Sequence, residues 1–387
     1  MKIFGRSTVN EFYEDRVVFR NLTPMHRQLP PLEVIREEVG LTAGKIPRKS
    51  EVDYARVIVH LLRKGRALDV PGAIIKRLIF IGDTRLLDGT AFANICQIGG
   101  WPGLIFIGSE KPDPPLIERV QMPGGQMMFL ANRWQALSGM AEQSFDHFCE
   151  RSGFPIDEQT AVIIDLDKTA LGGRGRNDHV IDLARVQAVR DTVTSLLGEA
   201  FDQDLFQKAY DQLNQVEFHP FTADNQDYLA YICMILGSGL YDLAQVVINV
   251  RAGKLTSFRQ FIDQVQVSRS SLPASLAQIH TEIYENVRKD DPTPFKPFRR
   301  NEYRNTVGRM GYLPDATPLE TVLAEEIVIT QEVRELALDW KKRGVLLFGL
   351  SDKPDEASIP TAELAKQGYR PIHRTETHIV GDSSSNV

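Results

Sequence analysis

The segment AVIIDLDKTA (161–170) sets two carboxylates, Asp165 and Asp167, and a hydroxyl, Thr169, directly behind an apolar run. Two further apolar runs end in polar groups. LIFIGDTRLLD (78–88) delivers Asp83 and Asp88, and VLLFGLS (345–351) delivers Ser351. Carboxylates gathered at strand ends repel one another unless a cation lies between them. A hard divalent ion such as Mg2+, held by carboxylate and backbone oxygens, answers that need. The same ion neutralises a phosphoryl group and leaves a carboxylate free to attack it.

The elements that must position these groups follow from hydrophobic patterning. Short apolar runs at 78–81, 103–110, 161–166 and 345–350 read as buried strands. VDYARVIVHLLRKG shows a helical face through Val52, Ala55, Val59 and Leu62, with Ser50 expected as its N-cap. KPDPP and MPGGQ mark 111–135 as loop, and a helix is expected over about 134–151. Strand, acidic loop, helix, strand is the order of an open, Rossmann-like parallel α/β sheet, in which ligands gather beyond the carboxyl ends of the strands. From 178 to about 340 the periodicity is helical throughout. The expected architecture is an α/β core, 1–171 with 341–387, carrying an inserted α-helical domain, 172–340.

The bulk properties narrow the class. At 387 residues the chain suggests about two domains, and 42% apolar with 25% charged residues is ordinary for a soluble protein. A net charge of −6 argues against bulk nucleic-acid binding. Three widely spaced cysteines, Cys96, Cys149 and Cys233, form no CxxC pair, which fits a reducing compartment without structural zinc. No run of 18 apolar residues occurs, so a cytoplasmic protein away from membranes is expected.

VIIDLDKT resembles the first motif of the haloacid dehalogenase-like superfamily, a strand followed by D-x-D-x-T. VLLFGLS, after VRELALDWKKRG, resembles the second motif, and LIFIGDTRLLD the fourth. The third is a lysine at a helix entrance, for which Lys49 is preferred and Lys45 is the alternative. The resemblance covers about half of the chain and implies roles. Asp165 would be the nucleophile, forming an aspartyl-phosphate, and a Mg2+ ligand. Asp167 would be the acid and base, with its backbone carbonyl on the metal. Thr169 would orient the loop, Ser351 would bind phosphoryl oxygens, and the lysine would offset their charge. Asp83, with Asp88, would complete the metal site.

The family's chain order is first, second, third and fourth motif; here 45–88 precedes 165, which implies a circular permutation. On that arrangement the segment after Ser351 supplies a helix and a third sheet strand. A rival fourth motif lies in the tail HIVGDSSSNV, with Asp382 and Asn386.

The glycine-rich ALGGRGRNDH follows the first motif where the family places a mobile flap; either Arg174 or Arg176 touches an anionic substrate from it, or the segment is a solvated loop. PFKPFRRNEYRNTVGRMGY (294–312) gathers Lys296, Arg299, Arg300, Arg304 and Arg309 among aromatics. A solvated face is favoured there over a grip on a large anion. The expected function is Mg2+-dependent hydrolysis of a small or medium phosphate monoester, with a nucleotide or nucleic-acid end a less favoured substrate. A phosphotransferase or phosphomutase using the same intermediate, and a non-catalytic binding protein of the same fold, are the alternatives.

Overall fold

Seven strands form one twisted sheet in the order β2-β9-β7-β3-β4-β6-β5. They are β2 (Val17–Val18), β3 (Arg77–Gly82), β4 (Gly103–Gly108), β5 (Ile117–Gln121), β6 (Met127–Ala131), β7 (Thr160–Asp165) and β9 (Leu346–Leu350). All neighbours are parallel except β5, which runs antiparallel to β6 at one edge. A three-stranded sheet is made by β1 (Lys2–Ser7), β10 (Thr377–Gly381) and β8 (Ile329–Thr330), in the order β1-β10-β8. The structure, a computed structural model, describes all residues but 43, 45, 139–143, 199–201 and 383–387.

The central strands are short apolar runs because both of their faces are covered. Every residue of β4 and β7 is buried, as parallel strands between helical layers require. The helices Val52–Asp69 and Leu87–Gly99 pack on one face, and Leu78, Phe80, Ile163 and Phe348 meet Ile58, Leu62 and Phe92 in one core cluster. Gly65 permits this approach, since a Cβ there would lie 2.8 Å from the Phe348 ring.

Two compact units divide the chain: 1–183 with 306–387, and 184–305. Both divisions fall inside the 172–340 span expected for the helical domain, so 172–183 and 306–340 lie with the sheets. The second unit has its own apolar core, in which Phe206, Phe221, Tyr231, Phe258 and Phe261 are fully or almost fully buried. Its helices Gln203–Leu213, Leu243–Arg251 and Phe258–Val267 start at Asp202, Asp242 and Ser257, each accepting a hydrogen bond from the backbone N–H three residues on.

Several expectations are corrected. Residues 111–135 are not merely loop: they contain β5 and β6, the hairpin that extends the sheet beyond β4. The Pro and Gly residues read as a linker are the punctuation around two short strands. In place of a helix over 134–151 there are a 3-10 turn, Trp134–Ala136, and a helix, Phe145–Arg151; Met140 and Ala141 lie outside the described residues. Ser50 is not the N-cap. Glu51 takes that position, without a side-chain cap bond. The strand after Ser351, β10, does not join the seven-stranded sheet; the place beside β9 is taken by β2, from the amino-terminal stretch.

Basic residues of 294–312 are also partly internal. Arg299 is buried in an ion network with Asp227 and Glu302, and Lys296 pairs with Asp291 at 3.0 Å, while Arg300 and Arg304 are exposed.

Candidate active site

The three strands that carry the acidic and hydroxyl ends are consecutive in the sheet: β3, β7 and β9. Their registers match, with Ile164 opposite Ile81 and Asp165 opposite Leu350. The residues that leave the strands at this level are therefore Asp165, Asp83 and Ser351, although they are scattered over the chain.

β7 runs straight into a tight loop. Leu166 N–H donates to Leu350 O at 2.9 Å, Ala170 N–H to Asp165 O at 3.2 Å and Leu171 N–H to Leu166 O at 2.8 Å. Lys168 takes a left-handed conformation, φ 61°, to make the turn, and its ammonium reaches Asp182 at 2.8 Å. Thr169 is fully buried and its carbonyl accepts from Thr330 Oγ1 at 2.6 Å. Its own hydroxyl has no hydrogen-bond partner among the described residues.

Lys49 holds the first half of the site together. It is buried just before the helix Val52–Asp69, and its ammonium bridges Asp165 Oδ1 and, at 2.6 Å, Asp88 Oδ1. Asp88 Oδ2 accepts from Asp83 N–H at 3.1 Å, from Thr84 N–H at 2.8 Å and from Thr84 Oγ1 at 2.8 Å. Both of its oxygens are thus occupied by the loop and the lysine. Gly82 is required beneath this arrangement, because a Cβ there would lie 2.5 Å from Asp88 Oδ2. Asp83 is turned toward a different cation: Arg174 Nη1 lies 2.8 Å from Asp83 Oδ2.

The second half lies between β7 and β9. Ser351 Oγ donates to Asp167 Oδ2 at 2.6 Å and accepts from Lys353 N–H at 3.0 Å. The Lys353 side chain is buried, with Nζ 3.9 Å from Asp167 Oδ1 and 3.4 Å from Thr306 Oγ1. Behind the pair of aspartates Tyr13 is fully buried and donates to Ile164 O at 3.3 Å.

Electrostatics express a surplus of negative charge. Burial raises the Asp165 carboxyl well above the ordinary value; Lys49 opposes this, and Asp88 and Asp83 reinforce it. Asp83 is pushed up to about 6 by burial and then by Asp88, with Arg174 opposing. Burial acts against ionisation of Asp88 too, but Lys49 and Thr84 outweigh it and hold that carboxyl low. Lys49, which burial alone would discharge, is raised by Asp165 and Asp88. Tyr13 is raised by burial and then by Asp165 and Asp167.

That surplus suits a divalent cation by donor chemistry. Asp165 Oδ2 accepts no hydrogen bond among the described residues, and the Asp83 carboxylate is met by Arg174 rather than by main-chain donors. No group of three or more His, Cys, Asp or Glu side chains is arranged around a common metal position among the described residues. The donors that fit are two carboxylates and main-chain oxygen, a set in keeping with Mg2+, which takes few protein ligands and keeps several waters.

The sequence candidates thus divide. Asp165, Asp88 and Lys49 form one hydrogen-bonded group, Asp83 adjoins it through the same loop, and Asp167 and Ser351 form another at the end of the next strand. Lys45 lies outside the described residues. Asp382 lies at the end of β10 in the three-stranded sheet, where its N–H donates to Glu332 at 3.0 Å and its carboxylate pairs with the Met1 ammonium at 2.7 Å; Asn386 lies outside the described residues. Arg176 does not face the aspartates but is buried between Glu332 and Glu110, at 2.8 and 3.0 Å. Lys353, two residues beyond Ser351, was missed by sequence reasoning. An S-x-K spacing off a strand end was its signal. Tyr13 had none.

No helix among the described residues is long and apolar enough to cross a membrane. Comparison with known protein families, with curated proteins and with solved structures finds no match for this chain.

Proposed function

We propose that the protein is a Mg2+-dependent phosphohydrolase that cleaves a small or medium phosphate monoester through an aspartyl-phosphate on Asp165. One observation carries this reading: the adjacent carboxyl ends of β3, β7 and β9 bring Asp165, Lys49, Asp88, Asp83, Asp167 and Ser351 to one end of the sheet. Phosphoryl transfer is mostly positioning and charge neutralisation, and it asks for an in-line nucleophile, cations and donors. Asp165 is the candidate nucleophile, Lys49 and Lys353 the candidate cations and Ser351 the candidate donor.

In this reading Asp165 attacks phosphorus with Oδ2 while Lys49 holds Oδ1, aiming the carboxylate and opposing the rise that burial imposes on its pKa. Asp167, held by Ser351, gives a proton to the leaving alcohol and later takes one from the attacking water. The buried Lys353 supplies positive charge for phosphoryl oxygens, and Ser351 turns its one O–H from Asp167 to them when the ester binds. Asp88 shapes the loop and anchors Lys49, and Thr169 closes the turn. Asp165, Asp83 and the Asp167 carbonyl would hold Mg2+, which supplies charge for the phosphoryl oxygens when bound.

The reading is tested by a panel of phosphate monoesters with Mg2+, comparing the wild type with Asp165→Asn. Hydrolysis of one or more esters by the wild type and loss of about 10³-fold or more in the variant is expected. Equal turnover by the two would remove Asp165 as nucleophile. Transfer to an added alcohol in preference to water would replace hydrolase by phosphotransferase.

A further inference from the structure

The two cations that face the acidic loop differ in kind. Lys49 is a permanent part of the fold: its side chain is 3% exposed and fixed on both sides by buried carboxylates. Arg174 is not. Its side chain is 44% exposed, while the Asp83 side chain it covers is 8% exposed. The guanidinium Nη1 contacts both Asp83 Oδ2, at 2.8 Å, and Asp83 O, at 3.3 Å. It therefore covers a carboxylate that the phosphohydrolase reading gives to the metal.

The loop presents this side chain from a rigid base. Arg174 N–H donates to Lys168 O at 2.7 Å, and Arg174 O accepts from Glu110 N–H at 2.8 Å and from Trp134 Nε1 at 3.2 Å. Gly175 takes φ 76° directly against the Glu110 backbone, so no larger residue fits there. The backbone is pinned, and only the exposed guanidinium is left to exchange partners.

We infer that Arg174 is an exchangeable counter-cation: it neutralises Asp83 in the metal-free protein, competes with the divalent cation for that carboxylate, and is released by it toward the anionic substrate. This rests on the phosphohydrolase reading and adds a coupling to it. A cation that takes Asp83 from Arg174 frees a fork-shaped donor matched to phosphate oxygens. Metal and phosphoryl ligand then assist each other's binding, and the assistance is reciprocal. No bond is made or broken in the exchange; one ion pair is traded for another.

Arg174→Gln removes the charge and leaves the main-chain bonds of the loop intact. The measurement is Mn2+ binding by electron paramagnetic resonance, without substrate, on the full chain. Arg174→Gln should bind Mn2+ about 5-fold or more tightly than the wild type. With Mn2+ saturating, the variant should bind orthovanadate about 5-fold or more weakly, followed by protein fluorescence. Equal Mn2+ affinities would overturn the exchange and leave the phosphohydrolase reading standing. Weaker Mn2+ binding by the variant would also overturn it, making Arg174 a support of the metal site. Absence of Mn2+ binding in both proteins would overturn the inference together with the reading beneath it.

Discussion

Ser351 Oγ donates a hydrogen bond of 2.6 Å to Asp167 Oδ2, joining the ends of β9 and β7 across 184 positions of sequence. The same oxygen accepts from Lys353 N–H, so a single hydroxyl fixes an acid and a buried lysine together. Ser351→Ala removes both contacts with little change of volume. Activity toward a phosphate monoester should fall about 10²-fold in kcat, as for loss of one preorganised donor. Stability should drop by only about 1 kcal/mol in urea titration. Ser351→Thr should retain most activity. A Ser351→Ala enzyme with unchanged kcat would confine Ser351 to structure.

Lys49 is the sole ammonium between Asp88 and Asp165 among the described residues, and removing it leaves two buried carboxylates facing each other. Lys49→Met should therefore destabilise the protein by about 3–5 kcal/mol, read from urea midpoints. Adding Asp88→Asn should recover part of that loss, because the like-charge repulsion goes with it. Simple addition of the two single-variant losses would show that the three side chains do not act as a unit.

Much of this arrangement was legible before any coordinates. The runs at 78–81, 103–110, 161–166 and 345–350 contain strands, the second ending at Gly108, because continuous apolar character has few other uses at that length; Asp165 closes its strand, and Asp83 and Ser351 follow theirs at once. Lys49 was visible only as a charge at a helix entrance, and its pairing with residue 165 is a matter of topology that spacing does not encode. β5 and β6 were hidden by the Pro and Gly around them, and by the exposed, charged β5 edge. β2 is two residues long, too short for any periodicity, yet it fills the sheet position next to Ser351. The inward turn of Arg299 toward Asp227 was equally unreadable, since a basic run looks alike whether its partners lie in solvent or in a distant helix.

Gly175 offers a test of the loop that carries Arg174. Its φ of 76° is costly for any residue with a Cβ, and that Cβ would meet the Glu110 carbonyl. Gly175→Ala should cost about 1–3 kcal/mol and move the loop off the Glu110 backbone. Trp134, whose indole N–H donates to Arg174 O, reports that displacement as a shift of its fluorescence. An unshifted spectrum with unchanged stability would show that the loop does not depend on this close approach.

In the helical unit His280 is fully buried, with Nδ1 2.6 Å from Tyr231 Oη and Nε2 2.7 Å from Gln266 Oε1. The neutral ring with its proton on Nε2 satisfies both partners. Burial, and then Arg269, lower its pKa to about 4 from an ordinary 6.5. The unfolded chain therefore takes up the proton first as pH falls. Protonation at His280 leaves stability unchanged above about pH 7, and stability is lost from pH 6.5 down to about 4, on the order of 2–3 kcal/mol. NMR of the His280 Cε1 proton should show no titration above about pH 5. A midpoint near 6.5 would mean that the ring is solvated.

The account depends above all on Asp165 being the atom donor that receives the phosphoryl group. Asp167→Asn blocks activation of water but, with p-nitrophenyl phosphate, whose leaving group needs no proton, leaves the first transfer intact. Acid quenching of this variant with that ester and Mg2+, followed by peptide mass spectrometry, reads the covalent product directly. The predicted result is a burst of p-nitrophenolate together with a phosphoryl group on the peptide at Asp165. Turnover of the ester with no phosphoryl group on Asp165, or with the group on another residue, would contradict it.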